Sequence, residues 1–209
     1  CFPLAEENMK AKQFLLPVIT LFLVAALSAC GSGNFLELGE SFEESFGTDG
    51  RLVYTVKSAS VSQSAEDGCF VEDAHVTVDG VSYINPDFIT SDGLISGASL
   101  VLLELEVQNV DADNAGMYDE PYVFRADSIV TLADLSKKSR GSYSYIDAAY
   151  FSLLNGRSEH SMAYELKPGE SITFTLGFLV GSDHSLSNLC ACDSSGNADS
   201  NFVRLGLTE

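Results

Sequence analysis

The chain has no tryptophan, only three histidines and three methionines, and 11 Lys and Arg against 30 Asp and Glu. The resulting net charge of −19 repels phosphate backbones. It argues against nucleic-acid binding and points to solubility, cation binding or basic partners. Cys-x-x-Cys, a phosphate-cradling glycine loop, Gly-x-Ser-x-Gly and the metalloprotease helix motif are all missing, so the common local signatures of redox, nucleotide and hydrolytic chemistry are not written here. Nor is there an apolar run of the about 20 residues that cross a hydrocarbon core. The longest apolar stretch, Phe14 to Ala29, is shorter and carries Pro17 near its start.

That stretch is informative for another reason. It follows Met9-Lys10-Ala11-Lys12 and ends in Leu27-Ser28-Ala29-Cys30, which resembles the lipobox of bacterial lipoproteins. Basic residues, an apolar segment and small residues before the cleavage point are the marks of a signal peptide, here spanning residues 9–29. The resemblance implies a diacylglycerol thioether on Cys30. Its expected location is the cell membrane, lipid-anchored and facing the extracellular or periplasmic side. Each buried methylene contributes about 0.8 kcal/mol, so two acyl chains give stable anchoring where one gives marginal binding. Residues 1–8 place Glu6 and Glu7 where a signal peptide wants basic charge. The expectation is a non-native extension read upstream of Met9, Glu6-Glu7 being encodable by a purine-rich ribosome-binding element.

Removing residues 1–29 takes away two acids and two bases, so the remainder keeps the charge of −19. The whole chain's hydrophobic content of 45% excludes wholesale disorder. Residues 30–50 read as a lipidated tether. Gly31 to Asn34 is flexible and polar, and Phe35 to Gly50 is either spacer or a first edge strand. From residue 51 the pattern is β. Leu52 to Val56, Ala59 to Val61, and His75 to Val78 joined through Asp79-Gly80 to Val81 to Tyr83 all alternate or carry hairpin chemistry. Leu100 to Val107 begins as a continuous apolar run and becomes an apolar/acidic alternation. This predicts a central strand whose outer face meets water at one end. Later strands are expected at 122–125, 129–132, 160–166, 172–180 and 202–205, with a tight turn at Lys167-Pro168-Gly169-Glu170 and a short helix at Ile146 to Leu154. Many short strands and little helical periodicity predict an all-β, single-domain antiparallel β-sandwich over residues 51–209.

Tyr54-Thr55-Val56, Leu102 to Val110, Leu166 to Ser171, Gly177 to Val180 and Leu205-Gly206-Leu207 together resemble the immunoglobulin-like domains of secreted bacterial lipoproteins of unknown function, grouped with the mycobacterial immunoprotective extracellular antigens. The resemblance covers about residues 50–207. It implies the sandwich architecture, and no catalytic residue comes with it. Without tryptophan, the Trp and Cys pair of antibody domains has no counterpart.

Cys69, Cys190 and Cys192 are the disulfide candidates. Outside the membrane a bridge is the default, and Cys69 with Cys190 or Cys192 is favoured over the small strained ring of Cys190 with Cys192. A zinc site from the three thiols and His184 is the alternative. For calcium, Asp111, Asp113 and Gly116 occupy the first, third and sixth positions of an EF-hand-like loop, and Asp119 follows. The loop lacks a Glu at the twelfth position and reads equally as an Asx-rich connection. Ser182-Asp183-His184-Ser185 contains triad residue types, but neighbours in sequence point different ways, and a hydrolase reading has no nucleophile motif behind it. The expected function is a non-catalytic binding module at the cell envelope. Its partner would be an envelope protein or glycan, contacted through loops, a sheet edge or tyrosines such as Tyr118, Tyr122, Tyr143, Tyr145 and Tyr150. No cofactor other than calcium is implied.

Overall fold

A computed structural model describes residues 34–46, 50–64, 68–112, 123–125, 130–139, 142–152, 163–193 and 200–208. The chain divides into residues 1–30 and 31–209, and all described residues belong to the second unit.

Two sheets carry the fold. The larger has six strands in the order β2-β3-β9-β15-β13-β4. These are β2 Ser41–Phe46, β3 Gly50–Ser62, β4 Gly68–Phe70, β9 Ala98–Asn109, β13 Tyr150–Ser152 and β15 Ser171–Gly181. The smaller has five in the order β1-β17-β16-β11-β12, built from β1 Asn34–Leu36, β11 Val130–Ser139, β12 Ser142–Ile146, β16 Leu189–Asp193 and β17 Asn201–Arg204. Pairing is antiparallel throughout these sheets except between β1 and β17, which run parallel. Three ribbons complete the described strands: β5 His75–Val78 with β6 Val81–Ile84, β7 Ile89–Thr90 with β8 Gly93–Leu94, and β10 Val123–Arg125 with β14 Ala163–Glu165.

The sheets share one core, which makes the molecule the β-sandwich that its strand pattern predicts. Inward residues of β9 and β15 pair directly, Val101 with Phe178, Leu103 with Leu176 and Leu105 with Phe174. They meet Val130, Leu132, Leu189, Ala191 and Val203 of the five-stranded sheet in the same buried cluster. Interdigitation of two inner faces is what holds such sheets together.

The other face of β9 changes character along its length. Ala98 and Leu100 are buried beneath Val76, Val78 and Phe88, in a second cluster that the β5–β6 ribbon covers. Glu104 and Gln108 stand exposed further along. The transition from apolar run to alternation thus marks where the covering ribbon stops. That ribbon turns through Asp79 and Gly80, both at positive φ (51° and 80°), as a two-residue turn requires. The Lys167 to Glu170 turn is equally as predicted: the Glu170 N–H donates to the Lys167 carbonyl at 2.9 Å, and Gly169 takes φ +86°.

One expectation gives way. Ile146 to Leu154 is no helix where it is described: β12 ends at Ile146 and β13 begins at Tyr150. Tyr150 faces the second cluster and Phe151 the first, and a strand buried on both faces shows a continuous apolar run that mimics a helix. Of the two readings for Phe35 to Gly50, the edge strand is the one met where the segment is described: β1 and β2 each form one edge of a sheet.

Asn109, fully buried at the end of β9, organises the loops around it. Its amide donates to the carbonyls of Leu166 (2.7 Å) and Ala112 (3.0 Å) and its oxygen accepts from the Ala112 N–H (2.8 Å). Asn109→Ala leaves these buried groups unpaired and is expected to cost about 3 kcal/mol, read as a lower urea midpoint with unchanged slope. Glu104→Ala, on the solvated half of β9, is expected to change stability by no more than about 0.5 kcal/mol.

Candidate functional site

The chain passes from the six-stranded to the five-stranded sheet between Gly181 and Leu189, through a turn and a 3-10 segment at Leu186–Asn188. This crossover is fastened to β11. The His184 Nδ1 lies 2.9 Å from Oδ2 of Asp134, which is fully buried. The other Asp134 oxygen accepts from the Ser136 N–H (2.9 Å) and Oγ–H (2.6 Å). On the second ring nitrogen, Asp183 Oδ2 lies 3.5 Å from Nε2 and is bridged by Lys137 Nζ at 2.6 Å. A shift of pairing register in β11 between Asp134 and Lys138 brings Ser136 and Lys137 to this cluster.

Burial pushes the Asp134 carboxyl up, but hydrogen bonds from Ser136 and His184 outweigh it and hold the group below its ordinary value of 3.8. Asp183 is likewise held low: burial works against it, and the Lys137 hydrogen bond and the His184 charge prevail. An ionised Asp134 can only accept, so Nδ1 of His184 carries the hydrogen. Both ring nitrogens therefore face carboxylates. The serines on either side of the sequence motif point elsewhere: Ser182 donates to Asp79 Oδ1 (3.1 Å), and Ser185 and Ser187 share a hydroxyl contact of 3.0 Å. The arrangement is a clamp between a crossover and a strand.

Beside this clamp, on the same sheet, lies an open groove of about 480 Å³. Glu37, Leu38, Leu135, Asn188, Cys190 and Arg204 are among its walls. Arg204 pairs with Glu37 at 2.8 Å and lies 4.8 Å over the Phe35 ring. Cys190 and Cys192 project two residues apart from the outer face of β16, buried with Ala133 and Phe202. Both are free thiols in this structure, and the side chain of Cys69, their expected disulfide partner, lies outside what is described. Cys69 pairs through its backbone with Phe151, in β4 at the edge of the opposite sheet. Burial pushes the Cys190 thiol up to about 11 and the Cys192 thiol up to about 12, the latter despite a 3.2 Å contact with Thr131 Oγ1. The expected zinc set is not assembled from its described members: His184 is engaged by Asp134, and among the described residues no three His, Cys, Asp or Glu side chains converge as metal ligands.

Of the calcium candidates, Asp111 is occupied by Arg51. Its Oδ1 accepts from the Arg51 backbone N–H (2.9 Å), and its Oδ2 from Nη2 (2.9 Å). Asp113 and Asp119 fall outside the described residues, as do Tyr118, Tyr122 and Cys30. Tyr143 and Tyr145 lie half-buried against the thiols, and Tyr150 is buried.

No known protein family matches the chain, and no curated protein does. Among solved structures, an uncharacterized beta-sandwich protein from Clostridium difficile 630 is similar at 9% identity, over 83% of this chain and 95% of that one, with a TM-score of 0.41.

Asp134, Ser136 and Lys137 escaped the sequence reading. The available signal was a single acid inside the apolar run Val130 to Leu135, a pattern that demands a buried partner. Because Asp134 is held low when folded, its contribution is full above pH 3.8 and is lost as pH falls through the depressed value. Asp134→Asn is expected to cost about 2 kcal/mol near neutrality. Denaturant melts across pH should show its gap from the parent protein closing on acidification. Peptide-resolved thiol labelling at about pH 8 should leave Cys190 and Cys192 unmodified in the native protein and label both after unfolding.

Proposed function

We propose that this chain is a lipoprotein held by a diacylglycerol on Cys30 at the outer side of the membrane, where its sandwich acts as a non-catalytic interaction module for an envelope protein or glycan. The observation that carries the reading is the run Met9 to Cys30, with its basic start, apolar middle and Leu27-Ser28-Ala29-Cys30 end, followed within four residues by the first strand of a packed domain. That order is the one an anchored domain needs: address, lipid, short tether, fold. The wider kinship with immunoglobulin-like bacterial lipoproteins belongs to the same reading, on the strand-and-turn segments that carry it.

A binding role is supported by the chemistry of the sandwich. His184 is locked between carboxylates, and the two thiols are buried and held protonated, so these reactive side chains serve packing. Loops and sheet edges are the surfaces left for partners. The edge strands β1 and β2 offer backbone groups for strand addition.

Cys30→Ala is the direct test. The parent protein should partition with membranes, with a Cys30 peptide heavier by the lipid. The variant should be recovered unlipidated and released. Retention of both proteins in the same membrane fraction, with no lipid mass on Cys30, would dismiss the reading. Crosslinking from living cells with the anchored protein then identifies the partner by reproducible enrichment over the variant.

A further inference from the structure

We infer that the segment Phe35 to Leu38, with Arg204 beside it, is a seat on which the domain rests against the bilayer that holds its own lipid; this rests on the lipidation of Cys30 proposed above. Three features meet there. The first is reach. Phe35 lies five residues after Cys30, and five residues span at most about 17 Å even when fully extended. The polar interfacial layer is roughly 5–8 Å thick on each side of the hydrocarbon core. The start of β1 is thus confined to the neighbourhood of the headgroups.

The second is chemistry. Phe35 and Leu38 are two of the few large apolar side chains on the described surface, 37% and 38% exposed. Arg204 lies over the Phe35 ring and is itself exposed. An aromatic and an aliphatic side chain beside a guanidinium fit the boundary between acyl chains and phosphate groups. Glu37 is paired with Arg204, and Glu40 accepts from the Glu37 N–H at 2.7 Å, so the two carboxylates nearest the seat have local partners. The chain as a whole carries a net charge of −19 and is repelled by anionic headgroups, so a segment whose carboxylates are locally partnered is suited to approach.

The third is rigidity. β1 is hydrogen-bonded to β17, and the Phe35 ring stacks on Phe202 at 5.6 Å. The following turn is closed by the Glu40 N–H to the Glu37 carbonyl (3.0 Å), and the Gly39 N–H ties it to the Val56 carbonyl of β3 (2.9 Å). Contact made here orients the whole sandwich. The described surface holds another exposed apolar group, Val81, Ile84 and Ile89 of β6 and β7, on the ribbons outside the six-stranded sheet.

Because the chain has no tryptophan, single-tryptophan variants report local environment without background. Lipidated full-length Phe35→Trp, Leu38→Trp and Ile84→Trp are purified from membranes, checked for unchanged melting temperature, and reconstituted into phosphatidylcholine vesicles with brominated acyl chains. Blue-shifted emission at positions 35 and 38, quenched several-fold more strongly than at 84, is the expected result. Agreement between the two seat positions guards against disturbance of the Phe35 stack. Protein that floats with the vesicles while all three variants emit alike overturns the seat and leaves the anchor standing. A blue shift that grows with protein concentration but escapes bromine quenching assigns the surface to a second copy of the chain, which also overturns it. Failure to float, equal to that of Cys30→Ala, overturns anchor and seat together.

Discussion

Strand β9 is hydrogen-bonded along most of its length on both sides, by β3 and by β15, and almost every other feature of the sandwich is placed by that three-strand unit. Its inward residues set the floor of the core. Its outward residues decide where the β5–β6 ribbon lies, since Ala98 and Leu100 must be covered and Glu104 and Gln108 must not. A shift by a single residue would exchange these faces, burying carboxylates and exposing leucines. The register is therefore held by the penalty for charge burial as much as by apolar contact.

Two buried polar side chains work where the regular ladder is interrupted, Asn109 at the end of β9 and Asp134 at the register shift inside β11. Asn109 closes the far end of β9 onto Leu166 and Ala112, and Asp134 holds the crossover through His184. Each is satisfied by several partners, the condition under which a buried polar group fixes a unique arrangement. Exposed ion pairs such as Lys57 with Glu106, at 2.7 Å, add little by comparison in high-dielectric surroundings. The strongly acidic charge of the chain thus acts on association and orientation, while apolar burial and these buried clamps carry the fold.

Strands and turns were legible where the cause is local. The Asp79-Gly80 hairpin, the Pro168-Gly169 turn and the change of pattern along β9 each follow from backbone dihedral preferences or from a period of two. Two short strands covered on both faces were not legible. β13 read as a helix, and β16 entered only through its disulfide candidates Cys190 and Cys192, because a run such as Leu189-Cys190-Ala191-Cys192 has no polar phase to reveal its period. The clamp was harder still: His184 was visible as a candidate, but its partner Asp134 lies 50 residues away, and the register shift that brings Ser136 and Lys137 to it has no local signature.

By itself the sequence determined the all-β class, the turn positions and the sidedness of β9, all of which depend on residues within a few positions of one another. Only the tertiary structure decided that Cys190 and Cys192 face away from the inter-sheet core, that Asp111 spends its oxygens on Arg51, and that Phe35 meets Phe202 across 167 residues of chain, with Arg204 over its ring. Those outcomes come from sheet pairing between distant segments, whose partners are selected by collective burial and carry no mark in the local pattern of either strand.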